Sequence, residues 1–107
     1  MFYRANANGY EQALPGIQRK TLSHGDNTLV AEFRMERGSW LPKHAHPEEQ
    51  SGYLVSGHIR LTIGGTIVDV GPGDSWTIPA NTEHGAEILD ASVAVEVFSP
   101  VRKDYLP

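Results

Sequence analysis

Ile59-Arg60-Leu61-Thr62-Ile63-Gly64-Gly65-Thr66-Ile67-Val68-Asp69-Val70 is the stretch from which the fold class follows. Apolar residues alternate on both sides of a Gly-Gly pair. Two glycines can both take positive φ at no steric cost, so a two-residue hairpin turn is predicted there. That turn sets the register: Ile59 opposite Val70, Leu61 opposite Val68 and Ile63 opposite Thr66. On the other face it places Arg60 opposite Asp69, an opposite-charge cross-strand pair worth about 0.2–1 kcal/mol.

The same period of two recurs outward from the hairpin. Thr28–Met35 puts Leu29, Ala31, Phe33 and Met35 on one face, with Glu32 and Arg34 on the other, as in a half-buried strand. Downstream, Gly71-Pro72-Gly73-Asp74 reads as a turn, Trp76–Pro79 as a strand and Ala80-Asn81-Thr82 as another turn. Strands are predicted at His84–Leu89 and Val93–Ser99, separated by Asp90-Ala91. Only Tyr10–Pro15 reads as a helical turn. Short strands at even spacing with frequent turn signals describe an all-β sandwich or barrel.

Composition narrows the function classes. The 107 residues suit one domain, residues 1–107, and a net charge of −4 argues against nucleic acid or an anionic membrane as partner. There is no cysteine, which excludes disulfides, thiolate ligands and a cysteine nucleophile. Residues 1–10 carry no apolar run of signal-peptide length, and no stretch is long enough to span a bilayer, so a cytoplasmic location is expected.

His44 and His46 stand two apart on an extended segment. Both then point to one face about 6.6 Å apart along the strand, a separation from which two imidazoles can reach one ion. His-x-His alone also occurs among surface histidines. Gln50 follows four residues after His46, and His84, from a distant strand, would close a site. The spacing Gly38-x5-His44-x-His46-x3-Gln50-x6-Gly57, followed by Gly73-x5-Pro79-x-Asn81-x2-His84, resembles the two cupin motifs. The resemblance covers about residues 28–99, with core motifs at 38–57 and 73–84. It implies a cupin double-stranded β-helix, or jelly-roll barrel, holding one divalent metal on His44, His46, Gln50 and His84. Cupins commonly carry Glu where Gln50 sits and Gly where Asn81 sits. An amide oxygen is a neutral ligand, so the ion would keep its full charge; Asn tolerates the left-handed conformation that Gly supplies. Nitrogen and oxygen donors suit Fe, Mn, Co, Ni or Zn. His24 and His58 fall outside the motifs, and Glu48 and Glu49 are expected to be solvated.

The C-terminal run Glu96-Val97-Phe98-Ser99-Pro100-Val101-Arg102, leading into a tail at 99–107, is similar to that of the pectin-degradation cupins. That resemblance implies opening of cyclic 4,5-unsaturated uronates to linear 5-keto-4-deoxyuronate, with Glu96 and Arg102 catalytic. Phe98, Trp40 and Arg102 would contact substrate, Arg102 by clamping a carboxylate. Trp40 shares strand parity with His44 and His46, so its ring is expected to line the pocket. Period alone turns Glu96 to water, because Val93, Val95 and Val97 make an apolar face. The functional reading turns Ala94, Glu96 and Phe98 inward and leaves the valines for a second subunit to cover, so a homodimer is expected. A metal-dependent dioxygenase and a non-catalytic sugar- or metabolite-binding cupin are the alternative functions.

Overall fold

The computed structural model describes residues 1–107. Eight strands follow in order: β1 (Glu11–Leu14), β2 (Ile17–His24), β3 (Leu29–Met35), β4 (Trp40–His44), β5 (Glu49–Ile63), β6 (Thr66–Val70), β7 (Ser75–Ile78) and β8 (His84–Ser99). A 3₁₀ turn at Lys103–Tyr105 closes the chain. All pairings are antiparallel. The sheet runs β1-β2-β3-β8-β5-β6, with β4 added to β8 and β7 to β5. No helix is long and apolar enough to cross a membrane.

β5 and β8, of 15 and 16 residues, pair with each other along nearly their whole length. Each changes its second partner midway. β8 lies beside β4 in its first half and β3 in its second; β5 lies beside β7 and then β6. Strands that switch partners must bend, and the pairing shifts register three times between Leu54 and Ile59. Gly57 occupies this corner with φ +99°, and a Cβ there would stand 2.1 Å from Ser92 Oγ. Ser92 Oγ accepts from the His58 N–H at 3.1 Å and donates to the Asp90 carbonyl at 2.7 Å, pairing polar groups that the bend would strand. The turn signal at Asp90-Ala91 therefore marks a bend in one continuous strand, not a break between two.

The hairpin register is as the Gly-Gly turn dictates, from Ile59 opposite Val70 to Ile63 opposite Thr66, and Arg60 Nε donates to Asp69 at 3.2 Å. On β3 the four apolar alternates all face inward, at 7% exposure or less. With Leu54, Ile59, Leu61, Ala86, Ile88, Ala94 and Phe98 they form the core. Each fully buried side chain of Leu or Phe size contributes about 1.5–3 kcal/mol through removal of apolar surface from water.

The helical turn expected at Tyr10–Pro15 is instead β1, which pairs with β2 across Pro15-Gly16. Gly16 has φ +75°, and proline followed by a positive-φ glycine is turn chemistry that joins two strands. Outside the barrel, Tyr53, Val55 and Val97 are 48%, 49% and 37% exposed, leaving an apolar outer face on β5 and β8.

Candidate metal centre

Register places the site. On β4, Trp40 lies opposite Glu87 and Leu41 opposite Ala86, and then the pairing slips so that His44 faces His84. Three residues on β4 thus span two on β8. The bulge falls at Pro42-Lys43, where proline has no N–H to give the ladder. Gly85 lies beneath it, since a Cβ there would stand 2.8 Å from the Leu41 carbonyl. Leu41 and His44 both turn inward although three apart. Trp40 therefore turns out, at 62% exposure, and does not line the pocket expected of it. The parity argument for Trp40 assumes an unbroken strand, and the bulge breaks it.

His46 follows in the loop after β4. Its carbonyl accepts from the Asn81 N–H at 2.8 Å, which stitches the two sequence motifs together. Asn81 takes φ +60°, the left-handed conformation anticipated for it. On β5 and β8 one inward row joins Ile78, Gln50 and Phe98, and the next joins Trp76, Gly52 and Glu96. A Cβ on Gly52 would stand 2.1 Å from the Trp76 ring, so the glycine lets the indole lie across the row toward Glu96. Trp76 was legible as a strand residue only. The signal for its site role is the interior-strand glycine opposite it.

The three imidazoles meet: one ring nitrogen from each of His44, His46 and His84 lies within 4.8 Å of the others. Each Nδ1–H donates to a backbone carbonyl two residues away, Pro42 at 2.9 Å, Glu48 at 3.0 Å and Thr82 at 2.8 Å. These partners fix the tautomer and leave the Nε2 lone pairs for the site. Glu48, expected in solvent, is half-buried, its carboxylate 3.4 Å from His46 Nδ1. It is held there by the same turn that orients the ring.

A cation fits this arrangement on three observations. His84 Nε2 is buried without a hydrogen-bond partner. His46 Nε2 and Gln50 Oε1 face each other at 3.0 Å, both as acceptors once Nδ1 carries the proton. Protonation is a disfavoured way to relieve this, because burial, aided by the Arg102 charge, lowers the His46 pKa, and burial lowers that of His84 to about 4. The cluster could thus hold a metal ion on His44, His46 and His84, with Gln50 Oε1 3.0 Å from His46 Nε2.

Glu96 is 7% exposed and faces this cavity, together with Phe98, while Val95 and Val97 face out. Its inward position needs no second subunit. Burial pushes its carboxyl up to about 7, and the amide of Gln50 opposes this in smaller measure. Neither Glu96 Oε2 nor Trp76 Nε1 has a hydrogen-bond partner. Arg102 lines the cavity too, but its Nε and Nη2 donate to Asp104 at 3.2 and 3.1 Å. Tyr105, also on the wall, packs edge-on to Phe98 at 5.3 Å between ring centroids. Asp104 and Tyr105 carried no signal in the sequence beyond proximity to Arg102.

Burial of Glu96 sets a pH dependence for the metal-stripped protein. A carboxyl with a folded pKa of about 7, against 4.5 ordinarily, contributes stability below pH 4.5 that is lost as pH rises toward 7. Glu96→Gln removes this loss and leaves every other titration in place. The melting temperature of the variant relative to wild type, in chelator, is expected to rise across that interval. A difference independent of pH would show that Glu96 ionises freely in the fold.

Comparison with known proteins gives the same frame. A family model described as "Cupin domain" matches residues 31–99. Pectin degradation protein KdgF of Dickeya dadantii is 28% identical over 99 residues, which cover 91% of this chain and 90% of that protein. The solved structure of KdgF from Halomonas sp. superposes with a TM-score of 0.93 at 31% identity, covering 99% of this chain and all of that one. An RmlC-like cupin from Shewanella frigidimarina superposes at 0.89 with 26% identity, over 94% of this chain and 90% of that one. The chain belongs to the cupin family, and its likeness to the KdgF pectin degradation proteins runs from end to end.

Proposed function

We propose that this cupin converts cyclic 4,5-unsaturated uronates to linear 5-keto-4-deoxyuronate, with a divalent transition metal (Fe, Mn, Co, Ni or Zn) on His44, His46, Gln50 and His84. The observation that carries the reading is the buried Glu96 carboxyl facing the same cavity as Arg102 and the imidazoles of His44 and His84. Full-length likeness to KdgF supports the substrate class. A bound cation would supply Lewis acidity toward a substrate oxygen.

The chain's own groups can account for the proton movements. Ring opening removes the proton of the anomeric hydroxyl as the bond from that carbon to the ring oxygen breaks, leaving an aldehyde. The ring oxygen leaves as an enolate, whose alkene carbon not bonded to that oxygen takes up the proton removed from the anomeric hydroxyl, giving the 5-keto acid. The reaction is an isomerisation and needs no co-reactant. Glu96 accepts and returns the proton, Arg102 offers its charge to the substrate carboxylate, and Phe98 walls the ring from water. Trp40 has no part in this, being outside.

The exposed Tyr53, Val55 and Val97 support a second proposal, that a second copy covers this face. Light scattering at micromolar concentration should give twice the 11.7 kDa chain mass; a monomer mass would exclude the dimer without moving Glu96 from the cavity.

Turnover tests the main reading. Glu96→Gln keeps shape but removes the base, and should slow the reaction about 10²–10⁴-fold. Arg102→Ala should mainly raise KM, because it removes binding common to ground and transition states. Loss of the conjugated-alkene absorbance, corrected for spontaneous opening, is the readout. A metal-loaded wild type no faster than the uncatalysed reaction on pectin- or alginate-derived monomers would refute the proposal. Oxygen uptake by the iron form would instead favour a dioxygenase.

A further inference from the structure

The cavity beside the histidines measures about 60 Å³, room for a few waters. A hexuronate whose reacting end enters it must extend beyond it. An adjoining groove of about 290 Å³ shares Phe33, Leu41, His44, Arg102 and Tyr105 with that cavity, and adds Arg19. No Asp or Glu lines this groove, although the chain carries a net charge of −4. A ligand that reaches His44 along this groove meets a wall whose only permanent charges are two guanidiniums.

These two arginines are not equally free. The carbon centres of Arg19 and Arg102 lie 3.9 and 4.1 Å from the centroid of the Tyr105 ring. Two guanidiniums at that height would overlap on one face, so they take opposite faces. Arg102 gives its Nε–Nη2 edge to Asp104. For Arg19 the only carboxylate within 4 Å is Glu11, at 3.9 Å, beyond hydrogen-bond distance, on a side chain 78% exposed. The Arg19 side chain is 19% exposed, so its charge is partly sheltered and is met only by this long ion pair to the exposed Glu11. It also stands where an apolar residue is expected: on β2 it shares the inward face with Ile17, which is fully buried, and lies opposite Phe33.

We propose that Arg19 is a second ligand-binding residue, which donates to the carboxylate of an acidic sugar lying in the groove beside Tyr105. The identity of the acid rests on the uronate reading above. Tyr105 sets the two guanidiniums on either side of the groove wall. Asp104 holds one edge of Arg102, so the free donors that select an acid over a neutral sugar come chiefly from Arg19.

Arg19 could instead serve only to stack on Tyr105 and pin the C-terminal turn, and two variants separate the roles. Arg19→Gln removes the charge and the stacking plane; Arg19→Lys keeps the charge but loses the plane. The measurement is D-galacturonate binding to the zinc-loaded full chain by calorimetry, with circular dichroism to verify folding. Arg19→Gln is expected to weaken binding about tenfold or more, and Arg19→Lys to stay within about threefold of wild type. Equal losses in both variants, no loss in Arg19→Gln, or no D-galacturonate binding by wild type would each overturn the assignment. Charge-dependent binding in a protein that fails to open unsaturated uronates would leave Arg19 in place and remove the reaction instead.

Discussion

Three imidazoles turned lone pair to lone pair in a partly buried space are the constraint on which this structure turns. Each ring is fixed by an Nδ1–H bond to a carbonyl two residues away, so none can rotate to relieve the crowding. Gln50 adds a fourth acceptor 3.0 Å from His46 Nε2. Burial disfavours the protonated forms of His46 and His84, which suits rings that offer lone pairs to a cation.

The fold exists in a form that holds those rings. The bulge at Pro42-Lys43 turns His44 inward, Asn81 ties the His46 loop to the second motif, and the long pairing of β5 with β8 sets Gln50 one row from Glu96. The amide at position 50 has a consequence here. A glutamate would bring a second carboxyl beside Glu96, and like charges so placed oppose ionisation of both. With Gln50 neutral, the cavity carries a single carboxyl whose ionisation burial alone disfavours most.

The hairpin and β3 were legible because each depends on local spacing, a Gly-Gly turn and a period of two, and the meeting of His44 and His46 with the distant His84 was legible from the paired motifs. What was not legible depends on breaks in that spacing. The period of β4 places Trp40 in the pocket, and one extra residue at the bulge puts it outside. Glu96 lies between apolar residues on both parities, so hydrophobic period could not choose its face; the rows shared with Gly52 and Trp76 do. Asp90-Ala91 carries turn residues but bends a continuous strand, since β5 supplies hydrogen bonds on one side throughout. Pro15-Gly16 is itself a hairpin-turn signal, and it is this turn that makes Glu11–Leu14 a strand.

The most direct measurement of the central claim is an anomalous-diffraction structure of crystals grown with one equivalent of zinc or nickel. One ion should be bound by Nε2 of His44, His46 and His84 at about 2.0–2.1 Å, with Gln50 Oε1 completing the protein ligands and the three Nδ1–carbonyl bonds retained. An ion bound through any Nδ1, an ion that leaves His84 Nε2 unligated, or an ion found only elsewhere on the chain would contradict the account.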